Sequence, residues 1–452
     1  MTPPARPTDV LLAHGLGGSE YLPVPLTAVL IGGAWALTIS FAVIAFAWRT
    51  PRFGRPDAGR ELPAWVTAAV DNRWLRGVIS GAAVVLTAWL IVAAVGPDND
   101  ENPLPGAFYV LLWVGMTVLS VLLGPVWRLL SPVRTLLRAA RGVGGPRVVG
   151  LREYPRRLGW WPAALGLFAF VWLELASPEP SSVSSVRIWL LCYLVVTLVG
   201  GVVFGLRWTV DADPFAVYST VASRLSPFAR NSAGRVILRS PMNSLPTLPV
   251  LPVLPGTVTV LAILLGSTAF DSFSAIAFWQ DLVADAAGDS RAAATVYSTA
   301  GLLVFIGVVV VTFWTAARAV GGVQPDLRRR LPGLMAHSLV PIVIGYILAH
   351  YLQSLVEQGQ EAVLALGDPL GRGWNVLWLS DAHPVYVMSD HPTVTVTLKV
   401  AFVLGGHMLG VAAAHDASLR LLPRRHQLTG QLTMMVLMVF YTFLGLWLLF
   451  GG

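Results

Sequence analysis

An all-α integral membrane protein of about ten transmembrane helices is the fold class this sequence predicts, on three observations. Of its 452 residues, 55% are hydrophobic and 12% charged, with a mean hydropathy of +0.67, and a water-soluble globule has no interior able to hide so much apolar surface. The apolar residues fall into stretches of about 20, the length of one bilayer crossing. With the N-terminus outside, 26 of the 31 Lys and Arg fall in the loops after the odd-numbered stretches, which sets the topology by the positive-inside rule. Both termini are then extracytoplasmic, in the plasma membrane.

Residues 1–24 form an extracytoplasmic Gly/Pro-rich tail that carries His14 beside Gly15, Gly17 and Gly18. Its first 13 residues hold several prolines and little continuous apolar length, and so read as a tail rather than a secretory signal. Five helices fill 25–206: Pro25–Trp48, Gly77–Val95, Ala107–Leu130, Trp160–Ala176 and Val186–Gly205. Residues 207–252 follow as a cytoplasmic amphipathic and linker segment. Here Asp213 is placed as an N-cap with Pro214 at the first helical position, and Phe215, Tyr218, Val221, Ala222 and Leu225 recur at helical spacing, which predicts an interfacial helix. The Arg134–Arg141 stretch reads the same way. Both are basic enough to favour anionic headgroups, with a solvated connecting helix as the alternative. Residues 253–452 carry helices Val253–Ser272, Ala294–Ala317, Leu334–Val356, Thr395–Ala414 and Gln431–Phe450, and an extracytoplasmic loop over 357–392. Five plus five helices permit an inverted repeat, although the two halves show no convincing sequence match.

The basic clusters lack aromatic interleaving and are topology signals, not a nucleic-acid surface. One cysteine, Cys192, excludes an intramolecular disulfide. The chain has no Gly-x-Ser-x-Gly elbow, Walker A sequence, His-Glu-x-x-His or dinucleotide fingerprint.

Ionisable residues inside membrane spans are costly and mark candidate sites. Placed by the ~1.5 Å rise per residue, Glu174, Asp271, His350, Glu357, Lys399 and His407 gather toward the outer half, where His14 is able to join them. Imidazoles with carboxylates are the donor set for Zn, Cu, Fe or Mn; the same groups also serve proton relays. Glu174 and Asp271 alternatively reach water at the interface, and Lys399 alternatively snorkels to it. Gly406 and Gly410 bracket His407 in a Gly-x-x-x-Gly pair, which predicts close helix packing there.

A second, inner group is His337 with His415 and Asp416. Level imidazoles invite haem, but Asp416 is also placed to pair with Arg420 at a helix end, and 13 residues from His337 to His350 turn a helix by about 220° beyond whole turns. Haem is therefore the weaker reading. In the 357–392 loop, Trp374, Trp378, Asp381, His383, Asp390 and His391 form either a lid with ligands or plain surface.

Several motifs together resemble one family: Ala13-His-Gly-Leu-Gly-Gly18, Gly124-Pro-Val-Trp-Arg128, Phe168-Ala-Phe-Val-Trp-Leu-Glu-Leu175, Gly266-Ser-Thr-Ala-Phe-Asp271, Ala336-His-Ser-Leu-Val-Pro341, Ala349-His-Tyr351, Gly406-His407 and Ala414-His-Asp416. Over nearly its whole length the chain resembles the polytopic membrane proteins called fenitrothion hydrolases in actinobacteria and some proteobacteria. The resemblance implies an integral-membrane organophosphate hydrolase, with a possible partner membrane subunit, and carries no catalytic residues over. Three functions stand: a metal-assisted hydrolase of lipophilic phosphotriesters, a metal-ion or proton-coupled transporter, and a non-catalytic helical subunit of a membrane complex.

Overall fold

The computed structural model describes all residues except 1–20, 56, 100, 146–147, 246–252, 320–322, 428 and 452. The tail with His14 therefore lies outside the described residues. Among those described, nine helices are long and apolar enough to cross a membrane, so the chain is a multi-pass, predominantly helical membrane protein.

The expected spans appear with shifted ends. Leu26–Ala47, Arg73–Val95, Val183–Phe204, Thr257–Ser274, Arg291–Arg318, Pro392–Leu421 and Leu432–Phe450 match seven of them. The expected Ala107–Leu130 helix instead runs Pro103–Leu123. It stops where Gly124 takes φ +97, a conformation glycine adopts without steric cost, and Pro125 follows. Within it, Ala107–Gly115 is wound as a π-helix. The expected Leu334–Val356 helix begins earlier, at Pro325, because Pro325 sits in its first turn where a missing N–H costs nothing. Pro341 cannot donate to the His337 carbonyl; that carbonyl is taken by the Val340 N–H, and residues Ala336–Leu339 tighten to a 3₁₀ turn. The tenth expected span is the 15-residue Trp161–Leu175 helix. At about 22 Å it is shorter than the ~30 Å hydrocarbon layer.

Two compact units share the chain. Of the described residues, the first comprises those in 59–239 and 352–387; the second, those in 21–58, 240–351 and 388–452.

The first unit is built on an aromatic core. Trp113 stacks on Phe170 at 4.4 Å and on Tyr218 at 4.3 Å between ring centroids. Tyr218 belongs to helix Pro214–Ala222, all nine of whose residues are buried. The interfacial helix expected there is thus a core helix. Asp213 is its cap, accepting from the Phe215 and Ala216 N–H groups at 2.9 and 3.3 Å, and takes two further bonds from Trp127 Nε1 and Tyr193 OH, each at 3.1 Å. Its polar face is buried because Ser219 Oγ is within 2.8 Å of Ser120 Oγ and accepts the Trp127 N–H at 3.2 Å. The Arg134–Arg141 stretch lies in helix Pro132–Gly144, where Val133 and Leu137 are buried and Val143 is 94% exposed. A small antiparallel sheet, not expected from the sequence, orders Arg60–Glu61, Val236–Leu238 and Phe228–Arg230. Its 228–238 hairpin is closed by Asn231 Oδ1, which accepts the Arg235 N–H at 2.9 Å.

In the second unit, Pro325–Val356 and Pro392–Leu421 pack through glycine. A Cβ on Gly406 would lie 2.5 Å from the Pro341 carbonyl oxygen and 3.3 Å from Gly345 Cα. One on Gly410 would lie 2.8 Å from the Ser338 oxygen. The close approach read from Gly-x-x-x-Gly is therefore present, and it fixes the register of the helix that carries His407.

Candidate functional site

Two helices of the second unit meet at a buried polar cluster. Thr257–Ser274 supplies Asp271 and Ser272; the final turns of Pro325–Val356 supply Tyr346, His350 and Tyr351. Tyr346 and His350 are four residues apart, so they share one helix face, and both reach the same hydroxyl. Ser272 Oγ lies 3.2 Å from His350 Nδ1 and 3.2 Å from Tyr346 OH. On the other side of the imidazole, His350 Nε2 is 2.9 Å from Asp271 Oδ2. That separation is an ion-pair distance, but the ring N–H is not directed along it, since Nε2 has no aligned hydrogen bond. The contact is electrostatic, short of a formed bond. The same carboxylate oxygen accepts the Tyr351 hydroxyl at 2.5 Å.

His350 is 2% exposed and Ser272 6%, while the Asp271 side chain is 16% exposed. Asp271 is thus the member through which the cluster meets its surroundings. The order is carboxylate, imidazole, hydroxyl. Groups in this order are able to pass a proton once the Asp271–His350 contact aligns into a hydrogen bond.

The other residues picked from the sequence sit elsewhere. His407 is buried, donates from Nδ1 to the Val403 carbonyl at 2.8 Å and leaves Nε2 without a hydrogen bond. His337 is similar: Nδ1 donates to the Leu334 carbonyl at 2.9 Å, and Nε2 makes no aligned bond, although the Ala413 carbonyl is beside it. Lys399 is 2% exposed. It is buried rather than snorkelling, against the reading that took it to water. Glu174 and Glu357 belong to the first unit: Glu174 is half-buried near the end of Trp161–Leu175, and Glu357 is buried and accepts from Gln353 Nε2 at 3.4 Å. Among the described residues no three His, Cys, Asp or Glu side chains are grouped to hold a metal ion.

His415 and Asp416 form a helix-end lock. The expected Arg420–Asp416 pair is made, and the fully buried Asp416 also accepts the Arg52 and Phe53 N–H groups at 2.6 and 3.2 Å. His415 has one ring nitrogen 2.8 Å from Gln431 Oε1 and the other 2.8 Å from the Trp48 carbonyl. Both ring nitrogens thus lie within hydrogen-bond distance of a neighbouring oxygen. In the 357–392 loop, Asp381, His383, Asp390 and His391 are exposed, and Trp378 is 89% exposed.

Ser272, Tyr346 and Tyr351 were not marked by the sequence reading. Hydroxyls are ordinary in membrane helices, and the available signal was positional: Ser272 follows Asp271, and Tyr346 lies one turn from His350. No family model, curated protein or solved structure matches the chain.

Proposed function

We propose that the chain is an integral-membrane hydrolase of lipophilic phosphotriester-type esters, acting in the plasma membrane with Asp271 and His350 as its acid–base pair. The observation that carries this reading is the buried carboxylate–imidazole–hydroxyl order of Asp271, His350 and Ser272. A positioned imidazole accelerates ester cleavage by accepting a proton from the attacking oxygen and returning it to the leaving group. A neighbouring carboxylate stabilises the imidazolium formed between those steps. The family resemblance of the motifs around both residues supports the substrate class. A transition metal drawn to Asp271 and His350 would need at least one further protein donor to reach the three-ligand set of an open catalytic site.

Purified protein in proteoliposomes is expected to release the phenol from a bilayer-soluble aryl phosphotriester, with turnover reduced by about 10²–10⁴ in His350→Ala. Absence of turnover in the intact protein would overturn the reading.

A proton-coupled transporter is the second reading. It is favoured by the buried Nε2 atoms of His407 and His337, which lack aligned hydrogen bonds in the same unit as His350. Proton flux into liposomes that persists in the absence of any ester, and that His407→Ala abolishes, would select it.

A further inference from the structure

We infer that Ser272 is a nucleophile that forms a covalent phosphoryl-enzyme intermediate; this rests on the hydrolase reading. Ser272 lies 3.2 Å from His350 Nδ1, and the opposite ring nitrogen is 2.9 Å from Asp271 Oδ2. With the proton on Nε2, Nδ1 presents its lone pair to the serine hydroxyl, and the carboxylate acts on the ring by charge across 2.9 Å, without an aligned hydrogen bond. This is the relation of nucleophile, base and orienting acid found in triad hydrolases, and such triads are recognised by geometry and role, not by chain order. Here Asp271 and Ser272 are neighbours on one helix and His350 comes from another, which is why no linear motif announces the set.

Ser272 also has the ordinary role of a membrane-helix serine available to it. Its Oγ lies 3.3 Å from the Thr268 carbonyl, one turn back. That bond alone would satisfy the hydroxyl. What it does not explain is a histidine 2% exposed held between this hydroxyl and a carboxylate. Tyr346 supplies the remaining part: its hydroxyl is 3.2 Å from Ser272 Oγ, with a long 3.5 Å alternative at the Gly445 carbonyl, so it is free to turn its proton toward an oxyanion developing beside Oγ. The N–H groups of helix Thr257–Ser274 are spent within the helix, and the tyrosine is the donor the cluster offers.

In the first step the Ser272 Oγ–P bond forms and the P–O bond to the aryl group breaks, the phenolate leaving with the electron pair. The Oγ proton passes to His350 Nδ1 and from there to the phenolate. In the second step water attacks phosphorus, its proton goes to the same nitrogen, and the Oγ–P bond breaks. Ser272 recovers the proton and the dialkyl phosphate is released. The sum is one ester and one water consumed, one phenol and one phosphate diester formed, with no redox change.

The test uses the full-length protein in proteoliposomes with a dialkyl phosphorofluoridate, which leaves the same dialkylphosphoryl group on Oγ as fluoride departs. The expected result is a single adduct mapped by peptide mass spectrometry to Ser272 in the unmutated protein. Labelling in His350→Ala should slow by at least about 10²-fold, and both labelling and phosphotriester turnover should disappear in Ser272→Ala. Turnover without an adduct on Ser272, or turnover retained by a folded Ser272→Ala protein, overturns the nucleophile and leaves the hydrolase reading standing. Neither turnover nor adduct overturns both. Because the adduct is mapped on unmutated protein, the result does not depend on any variant folding.

Discussion

At Asp271 one carboxylate oxygen takes the Tyr351 hydroxyl at 2.5 Å and lies 2.9 Å from His350 Nε2, so neutralising it acts on both neighbours. Asp271→Asn keeps the shape and removes the charge that stabilises the imidazolium; turnover is expected to fall by about 10²–10⁴. Tyr351→Phe removes one donor and leaves the charge, so a smaller loss, about tenfold, is expected in the same assay. A comparable effect of the two substitutions would argue that packing, not charge, is what Asp271 supplies. Outside the spans, Asp368 shows the opposite case of a carboxylate with a purely local task. The Arg372 and Gly373 N–H groups at 3.0 and 2.6 Å hold its carboxyl below the usual carboxylate range, the Arg372 bond first. A depressed folded-state value contributes order that is complete above the unfolded value and lost as pH falls through the folded one. The protection of the Arg372 and Gly373 amides, measured against their intrinsic exchange rates, should therefore hold through neutral pH and fall only under acid, and Asp368→Asn should remove that pH dependence. Asp271 and His350 were legible from sequence because ionisable groups in apolar runs are conspicuous. Ser272 and Tyr346 were not, because nothing in their identity separates a relay hydroxyl from a back-bonded one. Lys399 was misread for a related reason: a long cation near a helix end ordinarily reaches water, and only tertiary packing shows that it is buried.

The helices explain how the Asp271–His350–Ser272 cluster keeps its geometry. Pro325–Val356 carries Tyr346 and His350, and its register against Pro392–Leu421 is set by backbone contact at Gly345, Gly406 and Gly410. A Cβ on Gly345 would come within 2.5 Å of the Phe402 carbonyl oxygen, whereas one on the adjacent Gly405 would meet nothing within 4 Å. Gly406→Val should thus force the helices apart at a cost of about 1–3 kcal/mol, seen as a lower unfolding temperature in detergent. Gly405→Ala should leave that temperature unchanged or raised, as expected for a helical glycine replaced without contact. Equal behaviour of the two would mean that the glycine contact does not set the pairing. This packing was readable from the Gly-x-x-x-Gly spacing. The burial of Pro214–Ala222 was not. Its apolar stripe of Phe215, Tyr218 and Val221 fits a surface helix equally well, and the deciding fact, that Ser219 is satisfied by Ser120 and the Trp127 N–H, depends on residues 99 and 92 positions away.

For the whole molecule, the number of crossings decides where every loop lies. Ten crossings return both termini to one side and keep the basic loops together, the reading on which 26 of 31 Lys and Arg share a side. The 15 residues of Trp161–Leu175 span about 22 Å, so this helix crosses only if the bilayer thins around it, at a modest cost per ångström. Were it not to cross, everything after it would invert. Arg207, Arg224, Arg230, Arg235 and Arg239, with Arg318 and Arg328–Arg330, would then move to the side opposite Arg134, Arg138 and Arg141. Translocating that many basic residues is disfavoured, which argues that Trp161–Leu175 does cross. Two exposed positions decide it: Val143, 94% exposed, and Trp378, 89% exposed. In a protein whose Cys192 is replaced by Ala, a Trp378→Cys thiol should react with a membrane-impermeant maleimide on intact cells. A Val143→Cys thiol should react only after permeabilisation, because ten crossings place the two on opposite sides. Nine place them on the same side, so matched labelling of both positions would remove Trp161–Leu175 from the crossings and invert the sidedness of the Asp271–His350 helices.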